Sequence, residues 1–169
     1  MTISADVLRN HLDYTAWASK RLVDAVAGLS TEELTRDFQT ADHSVLGTLV
    51  HVYAADRIWL ARVTNAAAGP FTSEADYHLP VLTTEWPALH ERWRAYGSSL
   101  TDASTGTSIA YKDTKGNPYT QPLWQIILHV VNHGTHHRGQ VSGFLRAMGK
   151  TPPPLDLAAY YRLQAAARA

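Results

Sequence analysis

Residues 120–148 read TQPLWQIILHVVNHGTHHRGQVSGFLRAM, and this stretch decides the fold. On a helical wheel of ~100° per residue, Ile126, Val130, His133, His137, Val141, Phe144 and Met148 fall on one stripe. Their spacings alternate between three and four, the mark of a helix with one buried face. Gly149 and the prolines of TPPP at 151–154 close it. A helix of this length needs others to cover its apolar stripe, and the rest of the chain supplies them.

Just upstream, SIAYKDTKGNPYT alternates on both sides of a Lys-Gly-Asn turn and predicts a small hairpin. Before that, Thr84 can cap a helix reaching about Leu100, with Pro87 tolerated in its first turn. The segment from Ala66 to Leu82, with Gly69, Pro70 and Pro80, reads as a loop. Ser44 precedes LGTLVHVYAADRIWLARVTN, a helix apolar around most of its circumference and so buried on more than one side. Ser30-Thr-Glu-Glu33 is a capping box opening a short helix to about Phe38. The first helix runs from an N-cap at Ser4 to about Ala27, with Gly28 placed as a left-handed terminator. Val7, His11, Tyr14, Ala18, Leu22 and Ala25 share one of its faces, with Leu8, Leu12 and Val26 alongside. DLAAYYRLQAAA adds a short C-terminal helix. Four long helices with short accessory pieces predict an all-α four-helix bundle, and residues 1–169 read as a single domain.

Composition bounds the function. Fifteen Lys and Arg balance fifteen Asp and Glu, which argues against a nucleic-acid binder working through a broad basic face. There is no cysteine, so disulfides, thiolate metal sites and Cys nucleophiles are excluded. No run approaches the ~20 apolar residues of a membrane span, and the N-terminus lacks a secretion signal. The expectation is a cytoplasmic protein that binds neither membrane nor nucleic acid.

Nine histidines are many for 169 residues, and four of them, His129, His133, His136 and His137, lie within one short stretch of the last long helix. His133 and His137 occupy stripe positions that should be apolar. Two buried rings in successive turns must find partners or cost a few kcal/mol. A spacing of four puts them ~6 Å apart at Cβ, on one side, where they can converge on one ion. The bland alternative is a polar flank facing water or a partner helix. No Glu lies between the two, so a zincin-type peptidase is disfavoured. A third ligand must come from another helix, and periodicity leaves the choice open between His11, on the stripe of its own helix, and His51. The small neighbours of His51, Gly47, Ala54 and Ala55, permit close helix approach.

Three motifs carry a resemblance. Tyr-x-x-Trp-Ala-x-x-x-Leu spans Tyr14 to Leu22; Leu-x-His-x-x-x-Ala-x-x-x-Trp-Leu surrounds His51; and Asn-His-x-x-His-His-Arg-Gly-Gln spans 132–140. Together, in order and over essentially the whole chain, they resemble the DinB/YfiT family. The resemblance implies a four-helix bundle, homodimeric, holding one divalent metal on His51, His133 and His137. It also implies a protein of the stress- or damage-inducible kind, with some relatives acting as thiol-dependent S-transferases or isomerases.

Three histidines without a carboxylate or thiolate form an open, catalytic-type donor set. Zinc suits neutral imidazoles best, with nickel next. A bound ion can lower the pKa of water for hydrolysis, or hold a low-molecular-weight thiol as thiolate. The favoured expectation is a thiol-dependent S-transferase acting on a small electrophilic substrate. The alternatives are a metal-dependent hydrolase, a non-catalytic metal-binding module, and a scaffold in which the cluster only locks the bundle. No general base is apparent. Asp56 points away from His51 on the wheel and reads as a paired buried carboxylate; Arg138 points to the far side; Gln140 points near His133 as an outer support. His129 and His136 receive no role. The five tryptophans read as core or dimer interface.

Overall fold

The structure is a computed structural model and describes residues 3–167. It is mostly helical: α1 (Ala5–Val26), α2 (Thr31–Thr35), α3 (Val45–Val63), α4 (Leu79–Ser98), α5 (Asp102–Thr105), α6 (Leu123–Ala147) and α7 (Leu157–Ala166). One hairpin, β1 (Ser108–Lys112) and β2 (Pro118–Pro122), precedes α6. The four long helices close a ring in which α1 and α3 each pack on both α4 and α6, so α1 and α3 face each other across the diagonal. Leu8, Leu12, Leu22, Leu49, Leu60, Ile126, Ile127 and Leu145 fill the centre with Trp86 and Trp93.

Local chemistry sets the ends. The Ser30 hydroxyl accepts from Glu33 N at 3.2 Å while the Glu33 carboxylate accepts from Ser30 N, so the capping box forms as expected. Ser44 Oγ accepts from Gly47 N at 3.0 Å and opens α3, which is buried over most of its surface. In the hairpin, Gly116 takes φ +88°, a left-handed turn position that glycine adopts without cost. Asp113 accepts from the backbone of Lys115 and Asn117 across the same turn.

Three expectations change. α4 begins at Leu79, not after Thr84, because Pro80 sits in the first turn where no N–H is needed, and Pro87 is then interior. Gly28 is not left-handed: α1 ends on Ala27 in ordinary helical geometry, and Gly149 is the glycine with positive φ. The buried face of α1 is centred on the expected flank of Leu8, Leu12 and Val26, with Tyr14, Ala18 and Leu22 of the predicted stripe also buried and Thr15 and Ser19 added to it. Val7 is 44% exposed, while Leu8, Leu12, Thr15, Ser19, Leu22 and Val26 face inward.

Two hydroxyls on that inward face have a reason. Arg138 of α6 is 1% exposed and donates through Nη1 to Thr15 Oγ1 at 2.9 Å and Ser19 Oγ at 3.2 Å. Gly134, one turn earlier, makes the room: a Cβ there would stand 2.6 Å from Arg138 Nη1. Asp56 of α3 is buried as well, accepting from Trp86 Nε1 at 2.8 Å. Arg138 on the far side and Asp56 as a paired buried carboxylate both agree with the wheel.

Candidate metal centre

Helices α3 and α6 pack side by side, and each turns histidines toward the seam. His51 Nε2 and His133 Nε2 stand 3.0 Å apart. One turn along α6, the His137 ring centroid lies 4.5 Å from His133 and 4.6 Å from His51. One ligand nitrogen from each of the three lies within 4.8 Å of the other two. Two nitrogens bound to one tetrahedral zinc lie ~3.3 Å apart, so small ring rotations bring the set onto a common point. The structure therefore brings together the three residues that the motifs selected.

Burial sets their charge. Loss of solvent, then the neighbouring rings of His137 and His51, push His133 down to about 3. His137 is also lowered, by burial first, although its bond to Gln140 opposes the shift. Both rings are neutral at pH 7, the state a metal ligand needs. Three convergent imidazoles are a donor set that fits a divalent ion.

Orientation comes from a layer behind the rings. His137 Nδ1 meets Gln140 Oε1 at 2.7 Å, which leaves Nε2 for the centre. Gln140 thus supports His137, not His133 as the wheel suggested. Asp42, in the loop before α3, reaches the Nδ1 atoms of two rings at once: His51 at 3.4 Å and His137 at 3.7 Å. Sequence reasoning missed Asp42 because a loop residue has no periodicity. The available signal was the glycine five residues later. A Cβ on Gly47 would lie 2.2 Å from the Asp42 carbonyl oxygen, so only glycine lets the loop fold over the first turn of α3. His133 Nδ1 is buried without a hydrogen-bond partner, so packing and the contact of its Nε2 with His51 orient that ring.

The other candidates separate cleanly. His11 is not part of the cluster; its Nδ1 faces the Val7 carbonyl of its own helix at 2.8 Å. Among the described residues the cluster takes His51 and not His11, because His11 borders another side of α6, beside Leu128, Val131 and Thr135, away from the α3 seam. His136 is exposed beside His137. His129 lies edge-on to Trp59 at 5.1 Å, and Trp59 in turn meets Tyr111 of the hairpin at 4.9 Å. Phe71, from the loop after α3, packs edge-on to His51 at 5.4 Å. Phe71 therefore borders the ligand rings directly, and Trp59 stands beyond His129, whose ring lies 5.7 Å from that of His133.

A helical bundle with three convergent histidines on one seam is a recognisable class, and comparison with known proteins narrows it. The DinB family model matches residues 1–168, and the chain belongs to the DinB family. Protein DinB of Bacillus subtilis (strain 168) is 22% identical over 156 residues, covering 88% of this chain and 90% of that protein. The crystal structure of a DinB-like protein from Bacillus cereus ATCC 10987 superposes with a TM-score of 0.68 at 21% identity, covering 91% of this chain and 99% of the other, which shows the shared fold.

Proposed function

We propose that His51, His133 and His137 hold one divalent cation, zinc by donor type with nickel next, and that the protein is a metal-dependent enzyme. The reaction we assign is transfer of a low-molecular-weight thiol to a small electrophilic substrate. The observation that carries this reading is the convergence of three imidazoles with no carboxylate or thiolate among the donors. Three protein ligands leave room for an exogenous one.

When bound, a divalent ion supplies Lewis acidity that favours the thiolate over the thiol at neutral pH. The protein residues do the rest. Gln140 and Asp42 hold the Nδ1 side of His137 and His51, which keeps their Nε2 lone pairs aimed at one point. Phe71 and Trp59 line the approach with apolar surface suited to an uncharged electrophile. The choice of thiol transfer over hydrolysis rests on Asp42. Among the described residues it is the carboxylate that comes within 4 Å of these rings, and it does so at Nδ1, behind them. Hydrolysis gains most from a base that takes a proton from water; an activated thiol attacks without one.

Metal analysis of protein purified without a nickel column tests the first half, with one equivalent per chain expected. Conjugation of glutathione, mycothiol or bacillithiol to monobromobimane, followed with parent and His137→Ala proteins, tests the second. Equal rates for the two would remove the catalytic assignment. A homodimer in the cytoplasm, as the family resemblance implies, is part of the same proposal, and its oligomeric state is checked by sedimentation.

A further inference from the structure

On the opposite side of the bundle, α1 and α4 enclose a cavity of about 440 Å³ lined by Trp17, Val23, Leu82, Trp86, Pro87 and His90. Its size falls within the range of small-molecule sites. None of the three seam histidines borders it.

His90 is the anomaly. It is 5% exposed, yet its Nε2 is buried without a hydrogen bond. The nearest acceptor is Asp56 Oδ2 at 3.5 Å, and that oxygen already accepts from Trp86 Nε1 at 2.8 Å. The ring does not turn back onto its own helix as His11 does; it lies nearly parallel to Trp86, one turn earlier, at 5.4 Å and 29°. Buried polar side chains are ordinarily paired. The facing carboxylate favours the proton on Nε2. Nδ1 is then the lone-pair nitrogen of a ring that lines the cavity.

The rim selects the charge of the occupant. Lys20 pairs with Asp24 at 2.7 Å, and Arg94 pairs with Asp13 at 2.9 Å and with Glu91. Both cations at the mouth are already paired, and three carboxylates outnumber them, so the cavity offers no free positive charge to an anion. Aromatic walls, a rim with no free cation and one buried acceptor define the complement: a small aromatic molecule that is not an anion and bears an O–H or N–H donor. We propose that this α1–α4 cavity is a second ligand site, independent of the metal centre, that binds such a molecule, phenolic in type, with its donor on His90 Nδ1.

The probes are 4-ethylphenol and 4-ethylanisole; the ether keeps the oxygen and carries a methyl group in place of the donor hydrogen. Binding to the full chain is followed by calorimetry and by quenching of tryptophan fluorescence. The phenol should bind roughly tenfold more tightly than the ether, the ratio expected for one buried hydrogen bond. His90→Phe keeps the ring and removes the acceptor, so it should abolish that ratio while leaving thermal stability equal to or above the parent. Chelated protein and His137→Ala should bind the phenol as the parent does, which keeps this result separate from the metal assignment. No binding of the phenol, equal affinity for both probes, or a ratio preserved in His90→Phe would overturn the proposal. So would sedimentation showing a dimer that Ala16→Arg disperses, because a second copy would then fill the cavity.

Discussion

At the residue scale, the centre depends on groups that never face the ion. Gln140 Oε1 fixes His137 through Nδ1 at 2.7 Å, and Asp42 spans His51 and His137. Removing such a support typically costs about 10- to 100-fold in metal affinity. Gln140→Leu should therefore weaken zinc binding by roughly tenfold with helical content unchanged, read by competition with a chromophoric chelator. The buried histidines also make stability depend on pH. His133, held at about 3 in the folded chain against 6.5 for the free side chain, stays neutral where the unfolded chain takes up a proton. Its contribution is fully present above about pH 6.5 and is lost as pH falls from there toward 3. His137 shifts in the same direction. Denaturant titrations of metal-free protein at neutral and mildly acidic pH should show the parent losing more stability than His133→Gln.

At the scale of elements, the α3 N-terminus and α6 use glycine in opposite ways. Gly47 lies under the Asp42 carbonyl, where an added Cβ would approach to 2.2 Å of backbone oxygen. Gly47→Ala must displace the loop, so we expect a loss of about 1–3 kcal/mol together with weaker metal binding as Asp42 moves. Gly143, exposed on α6, has open space where a Cβ would stand, with nothing within 4 Å. Gly143→Ala should stabilise by up to about 1 kcal/mol through helix propensity alone. Chemical denaturation of the two variants compares them directly. The hairpin belongs to this scale too. Trp59, Tyr111 and Arg62 lock it onto α3, with Arg62 4.4 Å from the Trp59 ring centre, so the approach to His129 and His133 is walled by a second element.

For the whole molecule, the leucine, isoleucine and tryptophan core is extensive and does not include the three ligand rings. Metal should therefore stabilise the fold by mass action without being needed for it: about 2.7 kcal/mol at a free concentration of about 100 times Kd. A chelator should lower the melting temperature and leave the far-ultraviolet helical signal at room temperature intact. Unfolding on chelation would make the cluster a structural lock and remove the open-site reading. The ring of four helices also keeps the seam and the α1–α4 cavity on opposite sides, with the buried Arg138 and Asp56 networks between them.

Periodicity and end signals were enough to read four long helices, the Ser30–Glu33 box, the hairpin and the pair His133–His137, because each depends on residues within a few turns of one another. They also placed Asp56 and Arg138 correctly, since the wheel reports direction along a single rod. The start of α4 at Pro80 escaped because proline is equally at home in a loop and in a first turn. The burial of Thr15 and Ser19 on α1 escaped because they look polar until Arg138, from a helix more than a hundred positions later, reaches them. The choice of His51 over His11 from the residues alone, the carboxylate of Asp42 behind two rings, and the unpaired His90 beside Asp56 are relations between elements. A one-dimensional pattern records which side a residue faces; which neighbour stands there is decided when the helices close their ring, because burial and pairing are set by packing across it.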